Sequence, residues 1–199
     1  MKGNWYIVEE NFDQTQIQVR ETLFTIGNGF LGTRGSFEEG YPGQQPATFV
    51  QGVFDDAPIV HTELVNFPDW TSLEIILAGE RFDLTQGEII SYERILNMQT
   101  GLLSRRVRWR SPAGKNVELF FERFASMADP HLLLVQVSVK PLDFSGEVSV
   151  RAGLNTCSDN LGLLHWDWLG QAVDDRIAWL HLRTRATRIE AGLAMRLCA

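Results

Sequence analysis

Hydrophobic and polar residues alternate with period two along much of the second half of the chain. Leu133, Val135, Val137 and Val139 interleave with Leu134, Gln136, Ser138 and Lys140. Val148, Val150 and Ala152 interleave with Ser149 and Arg151, and Ile189, Ala191, Leu193, Met195 and Leu197 share one face of a final run. Successive side chains on a strand point to opposite faces, so this pattern predicts strands buried on one side. Turn formers separate the runs: Ser111-Pro112-Ala113-Gly114 divides residues 107–110 from 117–124, Pro141 closes a strand, and Ser145-Gly146 leads into the next. Short strands at this spacing predict an antiparallel sandwich.

The first half is richer in loops. Residues 72–77 and 81–84 read as strands around an Ala78-Gly79-Glu80 turn, and short helical turns fit 15–24. Gly40, Pro42, Gly43 and Pro46 exclude a regular element from 35–46. The final run, 189–198, reads as a strand that stops without a turn or a polar tail, so one domain over 1–199, incomplete at its C-terminal end, is expected.

Composition narrows the classes. With 44% hydrophobic and 22% charged residues among 199, the chain can bury a substantial core and is not of disordered type. A formal net charge of -7 disfavours nucleic acid, which is bound through clustered Lys and Arg. The basic run Arg105-Arg106-Val107-Arg108-Trp109-Arg110 puts Arg106, Arg108 and Arg110 on one strand face, read as solvated. The N-terminus lacks a signal-peptide core, and no stretch is apolar for long enough to span a membrane. Cys157 and Cys198 are too few for a disulfide framework, so a reduced cytoplasmic setting is expected.

Candidate chemistry is sparse. Gly27-Asn28-Gly29-Phe30-Leu31-Gly32 matches the dinucleotide fingerprint G-x-G-x-x-G, but the glycines and prolines that follow forbid its helix, so these glycines are read as turns needing positive φ. The acidic pairs Glu9-Glu10, Glu38-Glu39, Asp55-Asp56 and Asp174-Asp175 read as solvated loop charges, since neighbours on a strand diverge and do not form the converging carboxylates of a glycosidase. His61, His131, His165 and His181 show no metal-binding spacing, and no metal or cofactor is expected. Two aromatic segments have the composition of sugar platforms, in which rings stack on sugars flanked by polar groups. They supply Asn66, Asp69 and Trp70 from one segment and His165, Trp166 and Trp168 from the other as candidate sugar-mouth or interdomain contacts.

Residues 21–35, Glu-Thr-Leu-Phe-Thr-Ile-Gly-Asn-Gly-Phe-Leu-Gly-Thr-Arg-Gly, resemble the opening signature of glycoside hydrolase family 65. Residues 48–70, 92–109 (with Leu96-Asn97-Met98-Gln99-Thr100-Gly101-Leu102-Leu103) and 158–168 are similar to the same family, with Asn97 where the family often has Asp. The resemblance implies a large antiparallel β-sandwich of galactose-mutarotase type, followed by a catalytic (α/α)6 barrel. That barrel supplies a glutamic acid and a phosphate pocket for inverting attack on an α-linked disaccharide, or activates water in the hydrolases. None of those catalytic positions falls in this chain. The sandwich would support the barrel, contribute homodimer contacts and lend loops to the active-site mouth. Two rivals remain: a stand-alone carbohydrate-binding sandwich on Trp70, Trp166 and Trp168, and a mutarotase-like enzyme, for which His61 and Glu63 are the local pair.

Overall fold

The computed structural model describes residues 5–57 and 61–199. The chain runs through β1 (Tyr6–Glu9), a 3-10 turn (Gln14–Gln16) and helix α1 (Ile17–Leu23). Short strands follow: β2 (Ile26–Gly27), β3 (Leu31–Thr33), β4 (Thr48–Val50), β5 (Phe54–Asp56), β6 (Thr62–Leu64), β7 (Leu73–Leu77) and β8 (Glu80–Arg81). Then come β9 (Glu88–Asn97), β10 (Leu102–Arg110), β11 (Asn116–Ala125), β12 (Leu133–Pro141), β13 (Val148–Ala152), β14 (Trp166–Asp174), β15 (Ile177–Thr184) and β16 (Glu190–Arg196). All the ladders between these strands are antiparallel.

The fold is an all-β sandwich. One sheet, in the order β1-β9-β10-β11-β12, packs against the sheet β13-β7-β8. Tyr92, Val107, Trp109, Leu119 and Phe121 meet Ile75 and Leu77 there, with Phe37, Phe82 and Leu84 filling the space between. A second core forms where Trp166, Leu180 and Leu182 of the sheet β14-β15-β16 cover Val65 and Phe67. The strands expected from period two are present in β10 to β13 and β16. Residues 81–84 form only the end of a hairpin: Arg81 pairs with Ile76, the Phe82 N–H still donates to the Ile75 carbonyl at 2.8 Å, and the Phe82 and Leu84 side chains fill the core. No helix among the described residues is long and apolar enough to cross a membrane.

The glycine-rich signature folds as a hairpin. Ile26 and Gly27 pair with Thr33 and Gly32, and the Asn28 carboxamide oxygen accepts from the backbone of Phe30 and Leu31 at 3.1 and 3.0 Å. The Asn28 amide nitrogen donates to the Ser126 and Pro130 carbonyls at 2.7 and 3.0 Å, fastening the hairpin to the β11–β12 connection. Of its three glycines only Gly29 has positive φ, at 87°. Gly27 is there for space: a Cβ would lie 2.8 Å from the Leu31 carbonyl oxygen. Upstream, the buried Glu21 carboxylate accepts from the Gln45 N–H at 3.0 Å and from Arg34 at 3.2 Å, closing the following loop over the helix.

Several acidic residues expected in solvent are instead internal. Glu38 and Glu39 are each 5% exposed, and Glu9 and Asp55 are also buried. Their burial follows from arginines on the inner face of the large sheet: Arg94, Arg105 and Arg123 are 2%, 3% and 0% exposed. Arg105 stands opposite Arg94 in the ladder and donates to Glu39 at 2.7 Å and Glu38 at 2.8 Å, with a second, closer contact to Glu39. Arg123 lies 3.3 Å from the other Glu38 oxygen, and Arg94 donates to the Gly35 carbonyl beneath the Phe24 ring. Burial alone would push the Glu38 carboxyl up, but the Arg123 and Arg105 guanidiniums outweigh it and hold it below its ordinary value. Burial also lowers Arg94 to about 10. This pairing nails the irregular 35–46 loop to the sheet. Arg106, Arg108 and Arg110 point outward, as the alternation requires.

Candidate functional site

The two aromatic segments meet, and Asn66 joins them. Its side-chain oxygen accepts from the Thr48 N–H at 2.9 Å, and its amide donates to the carbonyls of Pro46 and Asp159, each at 3.2 Å. Its backbone N–H reaches the Asn160 side chain at 2.9 Å, and its carbonyl accepts the Trp166 indole N–H at 2.8 Å. Trp166 is buried at 4% exposure and meets Phe67 edge-on, with centroids 4.9 Å apart. Asp69 forms a local turn by accepting from the Thr71 N–H and hydroxyl at 2.9 and 2.7 Å, and its backbone pairs with Asn155. The indole N–H of the half-buried Trp70 is shielded from solvent and has no acceptor among the described residues. Trp168, by contrast, is 46% exposed on β14.

His165 lies between two carboxylates that the sequence had not linked to it. Its Nδ1 is 3.0 Å from Asp55 and its Nε2 is 2.8 Å from Glu63. The other Asp55 oxygen accepts from the Ala186 and Thr187 backbone at 3.0 and 2.9 Å. Burial would raise the Asp55 carboxyl, but the hydrogen bonds from Thr187, His165 and Ala186 prevail and hold it below its ordinary value. The cluster clasps the β5–β6 hairpin, the start of β14 and the turn after β15. Glu63 thus meets His165, not His61. Both nitrogens of this 2%-exposed ring face carboxylates.

Open apolar surface lies elsewhere. On α1, Ile17 and Glu21 face inward, while Val19 and Leu23, also four apart, face out. They line a shallow groove with Gln18, Thr22, Arg34 and Gln45. A second groove, of about 500 Å³, runs between the signature hairpin and the β5–β6 hairpin, lined by Phe30, Phe49, Val50, Phe54 and Leu64. Phe54 and Leu64 face each other across that ladder and are 41% and 37% exposed. Isolated exposed apolar residues are ordinary, but grouped ones lining grooves mark contact surfaces.

These features define an all-β domain whose buried charges fasten loops and whose apolar grooves open outward. The profile of the glycosyl hydrolase family 65 N-terminal domain matches residues 7–198, and the chain belongs to that family. It is 39% identical over 187 residues to the kojibiose phosphorylase of Halothermothrix orenii, covering 94% of this chain and 24% of that protein. It is 34% identical over 173 residues to the alpha,alpha-trehalose phosphorylase of Thermoanaerobacter brockii, covering 79% and 22% of the two chains. A solved structure, a putative kojibiose phosphorylase from human microbiome, shares the fold with a TM-score of 0.82 at 22% identity, over 99% of this chain and 30% of that one. The chain therefore spans about a quarter of the length of the curated relatives it matches.

Proposed function

We propose that this domain is the N-terminal scaffold of an enzyme that cleaves an α-linked disaccharide of glucose, by phosphorolysis or hydrolysis. The chemistry belongs to an (α/α)6 barrel elsewhere in the parent protein, and homodimer contacts are part of the same role. The observation that carries the reading is the family match over 7–198, in a chain about a quarter as long as relatives named for disaccharide phosphorolysis. The internal carboxylates support it. Glu38 and Glu39 are committed to arginine, and Asp55 to His165 and backbone N–H groups, so none of them faces a cleft as a general acid. Both cysteines are unpaired, which suits the cytoplasm.

The barrel docks on the open apolar grooves, where Val19 and Leu23 of α1 and Phe54 and Leu64 of the β5–β6 hairpin are exposed. Trp70 and Trp168 add interdomain contacts, and Asn66, Asp69, His165 and Trp166 hold the Trp70 loop and the start of β14 in place. The barrel portion of a family member, titrated into this chain, should bind at micromolar concentration. Phe54→Asp should weaken binding at least about tenfold, since burying an unpaired carboxylate costs more than one tenfold step. No association at high micromolar concentration, or binding indifferent to Phe54→Asp, would refute the docking face.

A further inference from the structure

The outer face of the sheet β14-β15-β16 carries an open tryptophan outside the aromatic segments already described. On β15 the even positions Leu180, Leu182 and Thr184 are buried, so Ile177, Trp179, His181 and Arg183 point away from the core. Trp179 stands between Ala172 on β14 and Ala194 on β16, and the next pairs along the ladders place Gly170 and Gly192 beside His181. A Cβ on Gly170 would lie 3.4 Å from the far edge of the Trp179 ring, so the indole reaches sideways across the sheet onto that glycine. It is 42% exposed, as expected for a ring with one face on the sheet and the other in solvent.

The surroundings indicate what such a ring would hold. Its floor is glycine and alanine from the two flanking strands, and Ile177 is its apolar neighbour along β15. At its rim His181 Nε2 lies 2.9 Å from Glu190, a polar pair in reach of a neighbouring hydroxyl. Flat aromatic surface flanked by hydrogen-bonding side chains suits a neutral, hydroxyl-rich ring with an apolar face. We propose that Trp179 is a surface stacking platform for a glucosyl unit of a polysaccharide chain. Trp179 supplies the apolar contact, and His181 and Glu190 supply polar contacts at its rim. The choice of glucose rests on the function proposed above; the platform rests on the sheet.

One stacked ring binds weakly, so the assay uses a multivalent probe. The 199-residue chain is run in native gels containing increasing glycogen. The expected result is retardation that Trp179→Ala weakens at least about tenfold, roughly the loss of one well-packed aromatic contact. Trp179→Tyr should keep most of it, and Trp168→Ala, which removes the exposed ring flagged by the sequence, should keep all of it. Retardation absent from the parent chain, or unchanged by Trp179→Ala with native circular dichroism, would overturn the proposal. So would sedimentation showing that Trp179 instead mediates self-association. Barrel binding in trans is read separately and should be untouched by Trp179→Ala, so failure of the platform and failure of the scaffold role are distinguishable.

Discussion

Arg105→Met tests the internal charge cluster. The substitution keeps an unbranched side chain between Phe37 and Phe121, whose rings lie 4.6 and 4.2 Å from the guanidinium, but removes the charge. Glu38 and Glu39, each 5% exposed, then lose the partner that approaches them at 2.8 and 2.7 Å. Breaking a buried pair from one side costs about 3–5 kcal/mol, because the remaining charge is stranded without water. At about 2–4 °C per kcal/mol for a domain of this size, the melting temperature should fall by about 6–20 °C. The loss should also depend on pH. The Glu38 carboxyl is held down partly by Arg105, so in the variant burial pushes it up, and protonation relieves the stranded charge. The gap between parent and variant, measured by urea denaturation at pH 8 and pH 5, should therefore narrow on acidification. Adding Glu38→Gln and Glu39→Gln should recover part of the loss. A cost below about 1 kcal/mol, or one equal at both pH values, would refute the view that this cluster fastens the 35–46 loop.

Two further outcomes follow from the same geometry. Gly35→Ala should lower stability by about 1–3 kcal/mol in a thermal melt, because a Cβ there would sit 2.6 Å from the Phe24 Cβ and 2.9 Å from its carbonyl oxygen; an unchanged melt would mean that the helix end yields freely. Acid should destabilise the fold through Asp55 and Glu38: both folded values are depressed, so their contribution is complete above the unfolded carboxylate range near 4 and disappears as pH falls through the folded values. Glu21 acts with the opposite sign, since burial raises it and its ionisation on raising pH costs stability. Melting temperature against pH should drop steeply below about pH 4, and less steeply in Asp55→Asn; equal slopes would count against the His165 clasp.

The strands were legible because one face of each is buried and period two records that directly. The arginine cluster leaves a trace in the same periodicity. Arg94 falls in phase with Tyr92 and Leu96, Arg105 with Leu103 and Val107, and Arg123 with Leu119 and Phe121. An arginine on the apolar phase of three neighbouring strands calls for carboxylates, but nothing in the sequence singles out Glu38 and Glu39 among the acidic pairs. Their own stretch, broken by glycine and proline, reads as a surface loop, and only the partners some 66 residues away reverse that. The His165 clasp left no such mark: Asp55 and Glu63 lie 110 and 102 residues upstream, and no periodicity links them. Trp179 was passed over because it sits in an ordinary alternating strand. Its distinction comes from the small residues that the neighbouring strands place around it.

The scaffold role is tested most directly by product formation. The purified chain is incubated with kojibiose, trehalose or maltose and phosphate, alone and together with the barrel portion of a family member, and glucose 1-phosphate and glucose are measured. The chain alone should form neither product, and turnover should require the barrel. Saturable turnover by the chain alone, abolished by substituting one of its own carboxylates, would contradict the assignment and put a catalytic site within the sandwich.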